Sequence, residues 1–317
     1  MLRSRTLALA ILVSLSTAAN LGCMRTLEDE YRDAIPQASE LSVDVPGSGE
    51  TATAALVGER AFFYQVTRDT SRAVNGGLWI TLVAIHTIVG YRPTEVDETH
   101  AVWGPWNDTL NPITYVFAVE KVEEGHYRYM LSGKRRADGD DAYVDLLGGE
   151  TVIDDALGAR RGTIGMDFDA AHALDAYEHR AQGRIAASWD IGADPRVVEA
   201  AFDTFSDRAG DGPISALYRY REASDGSGSF EFAFRADLDD EGGAAEDVVL
   251  MTRWDRAGAG RGDGVVTGGD AGGAVIYASE CWDKYFDRTF WFDNAALQPN
   301  DGDAAACPFG EALWSEM

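Results

Sequence analysis

The feature that most constrains this chain is a long succession of short segments in which apolar and polar residues alternate with period two. In one of them Phe230, Phe232 and Phe234 point one way while Glu231, Ala233 and Arg235 point the other, which is the pattern of a half-buried strand. The alternation sets in from about His100. Residues 113–120 and 126–132 read as paired strands turning through Glu123-Glu124-Gly125. Further strands are expected over 163–168, 184–191, 197–205, 214–221, 229–238, 248–255, 265–268, 275–281 and 285–292. The connections are turn-rich, as in Ser224-Asp225-Gly226-Ser227-Gly228. So many short strands in succession argue an antiparallel meander, and an open sheet of that width curls or splits. No propeller or solenoid repeat is present.

The segment 51–91 is the helical part. Ala55, Ala61, Phe62 and Val66 line one face, with Glu59, Arg60 and Arg68 on others. Asn75-Gly76-Gly77 reads as a break, followed by the apolar run 78–89, twelve residues that are too few to cross a bilayer as a helix. The expected fold is mainly β (α+β). An N-terminal helical hairpin, with Trp79, Leu82 and Ile85 buried, packs on a large curved antiparallel meander sheet that is half-barrel or barrel-like. A strand is the alternative for the β-branched run 78–89.

The N-terminus reads as an export signal over residues 1–22. Arg3 and Arg5 precede the short apolar stretch 7–15, and small residues end in Leu21-Gly22-Cys23. That ending resembles a bacterial lipobox, which implies lipidation of Cys23. Asn20 departs from the pattern, which prefers Leu there, and cleavage after Thr17-Ala18-Ala19 is the competing reading. Residues 23–50 read as a lipid-anchored flexible tether and 51–317 as a single β-rich domain. By analogy with lipoprotein sorting, Met24 points to the outer membrane, facing the periplasm or the surface. Of three cysteines, acylation of Cys23 leaves Cys281 and Cys307 to pair in an oxidising compartment.

The layout of signal, tether, helices and strands, with Trp103-Gly104-Pro105-Trp106 and Glu280-Cys281-Trp282, resembles uncharacterised predicted lipoproteins of Gram-negative bacteria. The outline also resembles the half-barrel of periplasmic lipoprotein carriers, in topology alone.

Composition narrows the partners. There are 53 Asp and Glu against 27 Lys and Arg, a net charge of −26. Such a surface repels phosphate backbones and anionic headgroups, so no nucleic-acid partner is expected, and it suits a soluble monomer. Nucleophile elbows, phosphate-binding loops and His-Glu-x-x-His are all absent from the sequence. The glycine-rich stretch 258–273 reads as hairpin loops. His172, Asp175 and His179 have the spacing of transition-metal ligands on a helix. Asp237, Asp239 and Glu241, followed by Gly242, imitate the start of a calcium loop, although the twelfth position is Val248 instead of Glu. Residues 138–141 and 300–303 are shorter versions, and turns want the same residues. Tyr285, Phe286, Phe290, Trp291 and Phe292, with Trp103 and Trp106, read as core, or as rings that stack sugars or wall an apolar pocket.

Three functions compete. The first is an envelope lipoprotein that binds an apolar ligand or a protein partner on its curved sheet without catalysing a reaction. The second is a structural or adhesive surface module, stabilised by calcium. The third is a hydrolase whose paired carboxylates, about 5–9 Å apart, meet only in the fold.

Overall fold

The computed structural model describes residues 26–47, 59–107, 112–177, 179–206, 213–237 and 243–314. Cys23, Asp239 and Glu241 lie outside the described residues. Helices α1 (Leu27–Asp33), α2 (Ala38–Leu41) and α3 (Phe62–Val89) come first, and α4 (Phe168–Leu174) is inserted later. The strands are β1 (Glu95–Val96), β2 (His100–Asn107), β3 (Ile113–Glu123), β4 (His126–Arg135), β5 (Val144–Asp154), β6 (Ala159–Asp167), β7 (Gln182–Asp190) and β8 (Arg196–Ser206). They continue as β9 (Ile214–Glu222), β10 (Gly228–Ala236), β11 (Glu246–Trp254), β12 (Gly260–Gly268), β13 (Ile276–Trp282), β14 (Arg288–Asp293) and β15 (Asp301–Gly302). All fifteen form one open antiparallel sheet in chain order. Its two edge strands are only two residues long, which leaves little unpaired backbone to template aggregation.

Register carries single rows of side chains right across the sheet. One inner-face row runs Tyr127, Thr151, Gly162, Trp189, Val198, Tyr220, Phe230, Thr252, Gly262, Glu280, Trp291. The glycines in this row make room for large neighbours. A Cβ on Gly162 would meet the Trp189 ring at 2.6 Å, and one on Gly262 would meet Phe63 Cβ of α3 at 2.8 Å. This corrects the loop reading over 260–264; 265–268 is strand as expected, and 258–259 and 269–273 are the turns at its two ends. Gly260, Gly262 and Gly264 are inward residues of β12; Gly262 and Gly264 let Phe63 of α3 lie on the strand, and Gly260 makes room for the Trp282 ring.

α3 packs across this inner face. Phe63 meets Trp291, Tyr64 stacks on Phe286 at 4.2 Å, and Thr67 Oγ1 lies 3.3 Å from Thr252 Oγ1. The expected hairpin is one helix of 28 residues, continuous through Asn75-Gly76-Gly77. Tertiary packing overrides the local preference of glycine here. Gly77 gives close approach to Phe202, and the Asn75 side chain pairs with both backbone groups of Val43 at 2.8 and 3.0 Å. Leu82 and Ile85 are buried as expected, but Trp79 is 57% exposed on the opposite flank.

The segment expected as a tether is folded over 26–47. Thr26 and Asp29 form a capping box for α1, and Tyr31, Ile35, Leu41, Val43 and Val45 are buried. Arg32 ties α1 to the end of α3, donating to Val89 O at 2.7 Å and Tyr91 O at 3.1 Å. Tyr220 Oη donates to Asp44 O and Tyr64 Oη to Pro46 O, so the strip is held along its length.

Candidate functional site

The outward face of the sheet carries an apolar row of its own. Register aligns Val102, Ala118, Met130, Gly148, Gly165, Ala186, Ala201, Leu217, Ala233, Val249, Val265 and Tyr277 across twelve strands. Toward the middle, from β6 to β10, the side chains shrink to glycine and alanine. The result is an open trough of about 570 Å³ with Gly165, Ala186, Ala201 and Ala233 in its floor and Leu217 beside them. Leu217 is 64% exposed. Behind the floor Phe202, Tyr218 and Phe232 pack ring against ring, which stiffens it.

The parallel row Thr163, Ser188, Glu199, Arg219, Glu231 forms a polar bank. Arg219 sits between two carboxylates, at 2.6 Å from Glu199 and 3.8 Å from Glu231. The Glu199 carboxylate beside it holds the Arg219 guanidinium above its ordinary value. Both carboxylates of the trough thus share one cation, an arrangement that neutralises charge instead of opposing a general acid to a base.

Toward β14 the same outward face is covered by the C-terminal strap 303–314. Cys281 and Cys307 are bridged, with Cα atoms 5.5 Å apart. Arg261 donates to Phe309 O at 3.0 Å and Arg253 to Glu311 O at 2.7 Å. Beneath them Asp263 is fully buried, accepting from Arg261 Nε, Arg253, Ser279 Oγ and Leu313 N. Trp314 closes over Tyr277 and Phe292. Separating the cysteines as Cys281→Ser and Cys307→Ser should cost about 3–4 kcal/mol for a 26-residue loop, read as an earlier urea midpoint. An unchanged midpoint would show that the ion network alone holds the strap.

The other predicted ligands are dispersed. His172 lies on α4, but Asp175 is its C-cap and His179 follows beyond it. The His172 ring meets His179 O at 2.6 Å, and the His179 ring meets Tyr115 Oη at 2.8 Å. These contacts use the rings within the fold and form no three-ligand set. In 138–141 the cation is Lys134, whose ammonium donates to Asp138 O and Asp140. In 300–303 Asp303 caps its own turn and Asn300 accepts from Asp293 N. Asp237 is described, while the rest of its loop is not. Trp103 is buried and donates to Tyr91 O.

Among the described residues one group has the geometry of a metal cluster: Glu95, Asp97 and His100. Hydrogen bonds from Thr99 hold the Asp97 carboxyl below its ordinary value, and the bonds from Thr99 N, Thr99 Oγ1 and His100 N are those of a turn. Comparison with protein-family models, with curated proteins and with solved structures finds no match.

Proposed function

We propose that this chain is an envelope lipoprotein that holds an elongated apolar ligand in the outward trough over β6–β10. The carrying observation is the trough itself. Its size is that of a small-molecule site, it has an apolar floor, and one polar bank is placed to orient a head group. Burying each methylene of a chain-like ligand contributes about 0.8 kcal/mol, so a floor that spans five strands supports useful affinity.

The half-barrel reading draws support from lengths. From Phe63 to Val89, α3 covers about 39 Å, whereas β2 to β14 laid flat would cover about 58 Å. Yet α3 meets β14 through Phe63 and reaches the level of β2 through Tyr91, so the sheet has to arch over the helix. The inner face is then filled by α3, which leaves the outward face for a ligand.

Ala201→Trp tests the proposal by filling the floor. Binding of an environment-sensitive naphthylamine probe should fall at least about tenfold, because an indole replaces the space the ligand needs. The melting temperature should hold, since the side chain projects outward. Undiminished probe binding by Ala201→Trp would overturn the assignment.

A further inference from the structure

We propose that the outward flank of α3 rests on a lipid bilayer. The observation that starts the argument is the exposed Trp79. Along the same flank Ala73, Gly76, Val83, Ala84, Thr87 and Tyr91 are also exposed. Beyond Asp69, which pairs with Arg72 at 3.4 Å, the flank carries no acid. Residues 70–94 contain no Asp or Glu, in a chain that has 53 of them. Its two arginines stand near its ends, Arg72 and Arg92, and both reach solvent. On a protein of net charge −26, this is a stretch that anionic headgroups do not repel.

The opposite flank of α3 is committed to the sheet through Phe63, Tyr64, Leu78, Leu82 and Ile85. The helix is long and apolar enough to cross a membrane by composition, but its packing makes it lie in the interface. Tryptophan and tyrosine suit that depth, because an apolar ring and a polar edge meet the boundary together.

The position of Cys23 adds a second argument, which rests on the proposed lipidation. Cys23 precedes Thr26, the N-cap of α1, by three residues, or about 10 Å of extended chain. α1 is bound by Arg32 to the end of α3, at Val89 and Tyr91. An acyl anchor on so short a leash brings that end of the helix to the headgroups. Two acids of α1 are paired with cations there, Glu28 with Arg32 and Arg92, and Glu30 with Lys121. The trough then faces away from the membrane, because Gly77 of α3 lies against Phe202 and Ile185, directly behind Ala186 and Ala201.

The experiment uses the full exported chain and vesicles of phosphatidylcholine with phosphatidylglycerol. Labelled palmitate incorporated by the wild type and not by Cys23→Ser tests the anchor alone. Flotation of the unacylated Cys23→Ser protein tests the helix face. Adding Trp79→Glu should lower its partitioning at least about tenfold with the melting temperature unchanged. In acylated wild type, a photoactivatable phospholipid should form adducts within 73–91. Equal flotation with and without Trp79→Glu, or adducts confined to other segments, would overturn the proposal whether or not Cys23 is acylated. Self-association lost in Trp79→Glu, without vesicle binding, would assign the flank to a second copy of the chain and overturn it as well.

Discussion

Replacing Glu280 with alanine is expected to remove about 3–5 kcal/mol of stability, the cost of stripping one partner from a buried ion pair. That is a large share of the 5–15 kcal/mol a domain of this kind has in total. Glu280 has no exposed surface and does two jobs at once. Its carboxylate accepts from the first two N–H groups of α3, Phe62 and Phe63, and pairs with Arg288 at 2.9 Å. Burial pushes the carboxyl up, while those N–H donors and Arg288 pull it back toward ionisation. Alanine leaves a helix start uncapped and an arginine, itself only 11% exposed, with the exposed Glu59 at 3.5 Å as its remaining anion. Glutamine keeps an acceptor for the helix, so Glu280→Gln should lose less than Glu280→Ala. Urea unfolding of the three proteins orders them. An alanine variant with the wild-type midpoint would show that the helix start does not depend on this residue.

Ile85→Asp should be more damaging. Ile85 is completely buried and belongs to the continuous core that α3 shares with the sheet. Burying the isoleucine contributes about 1.5–3 kcal/mol, and an unpaired carboxylate in its place adds a penalty of several more. Together they approach the whole stability of the domain, so the variant should be recovered unfolded or aggregated. The informative control lies six residues earlier on the other flank. Trp79→Glu changes a larger side chain, yet it should melt with the wild type because its new charge faces water. Circular dichroism melts of the pair separate the two flanks of one helix. Equal loss by both would mean that α3 is enclosed on all sides.

What could be read in advance depended on how each residue reports its surroundings. Strands such as β10 announce themselves, because Phe230, Phe232 and Phe234 alternate with Glu231 and Arg235. β12 did so only over 265–268, since its residues under α3 are glycine, and glycine reads as turn. Asn75-Gly76-Gly77 failed for a related reason, as both Asn75 and Gly77 are packing points supplied by segments distant in sequence. Trp79 was misplaced because the run 78–89 has too few polar residues to mark which side is wet. The strip 26–47 hid its core by spreading five apolar anchors among charges. The trough floor was the least visible feature. Gly165, Ala186, Ala201 and Ala233 are unremarkable singly and become a surface only when register aligns them. The buried ions Glu280, Arg261 and Asp263 look like ordinary surface charge until partners far along the chain appear beside them.

The strand order has a consequence for how the molecule assembles. Every ladder joins neighbours in sequence, so each hairpin closes a short loop at small entropic cost and can zip onto the one before it. α3 obeys a different clock. The groups that seat its first turn stand on Glu280, more than two hundred positions downstream. A chain delivered amino end first presents this helix early and its seat almost last. For most of synthesis the apolar flank of α3 therefore has no complete dock. The late strands β12 to β14 complete that seat, so a copy truncated before them should keep many hairpins and the contact of Gly77 with β7 and β8, and leave the first turn of α3 undocked.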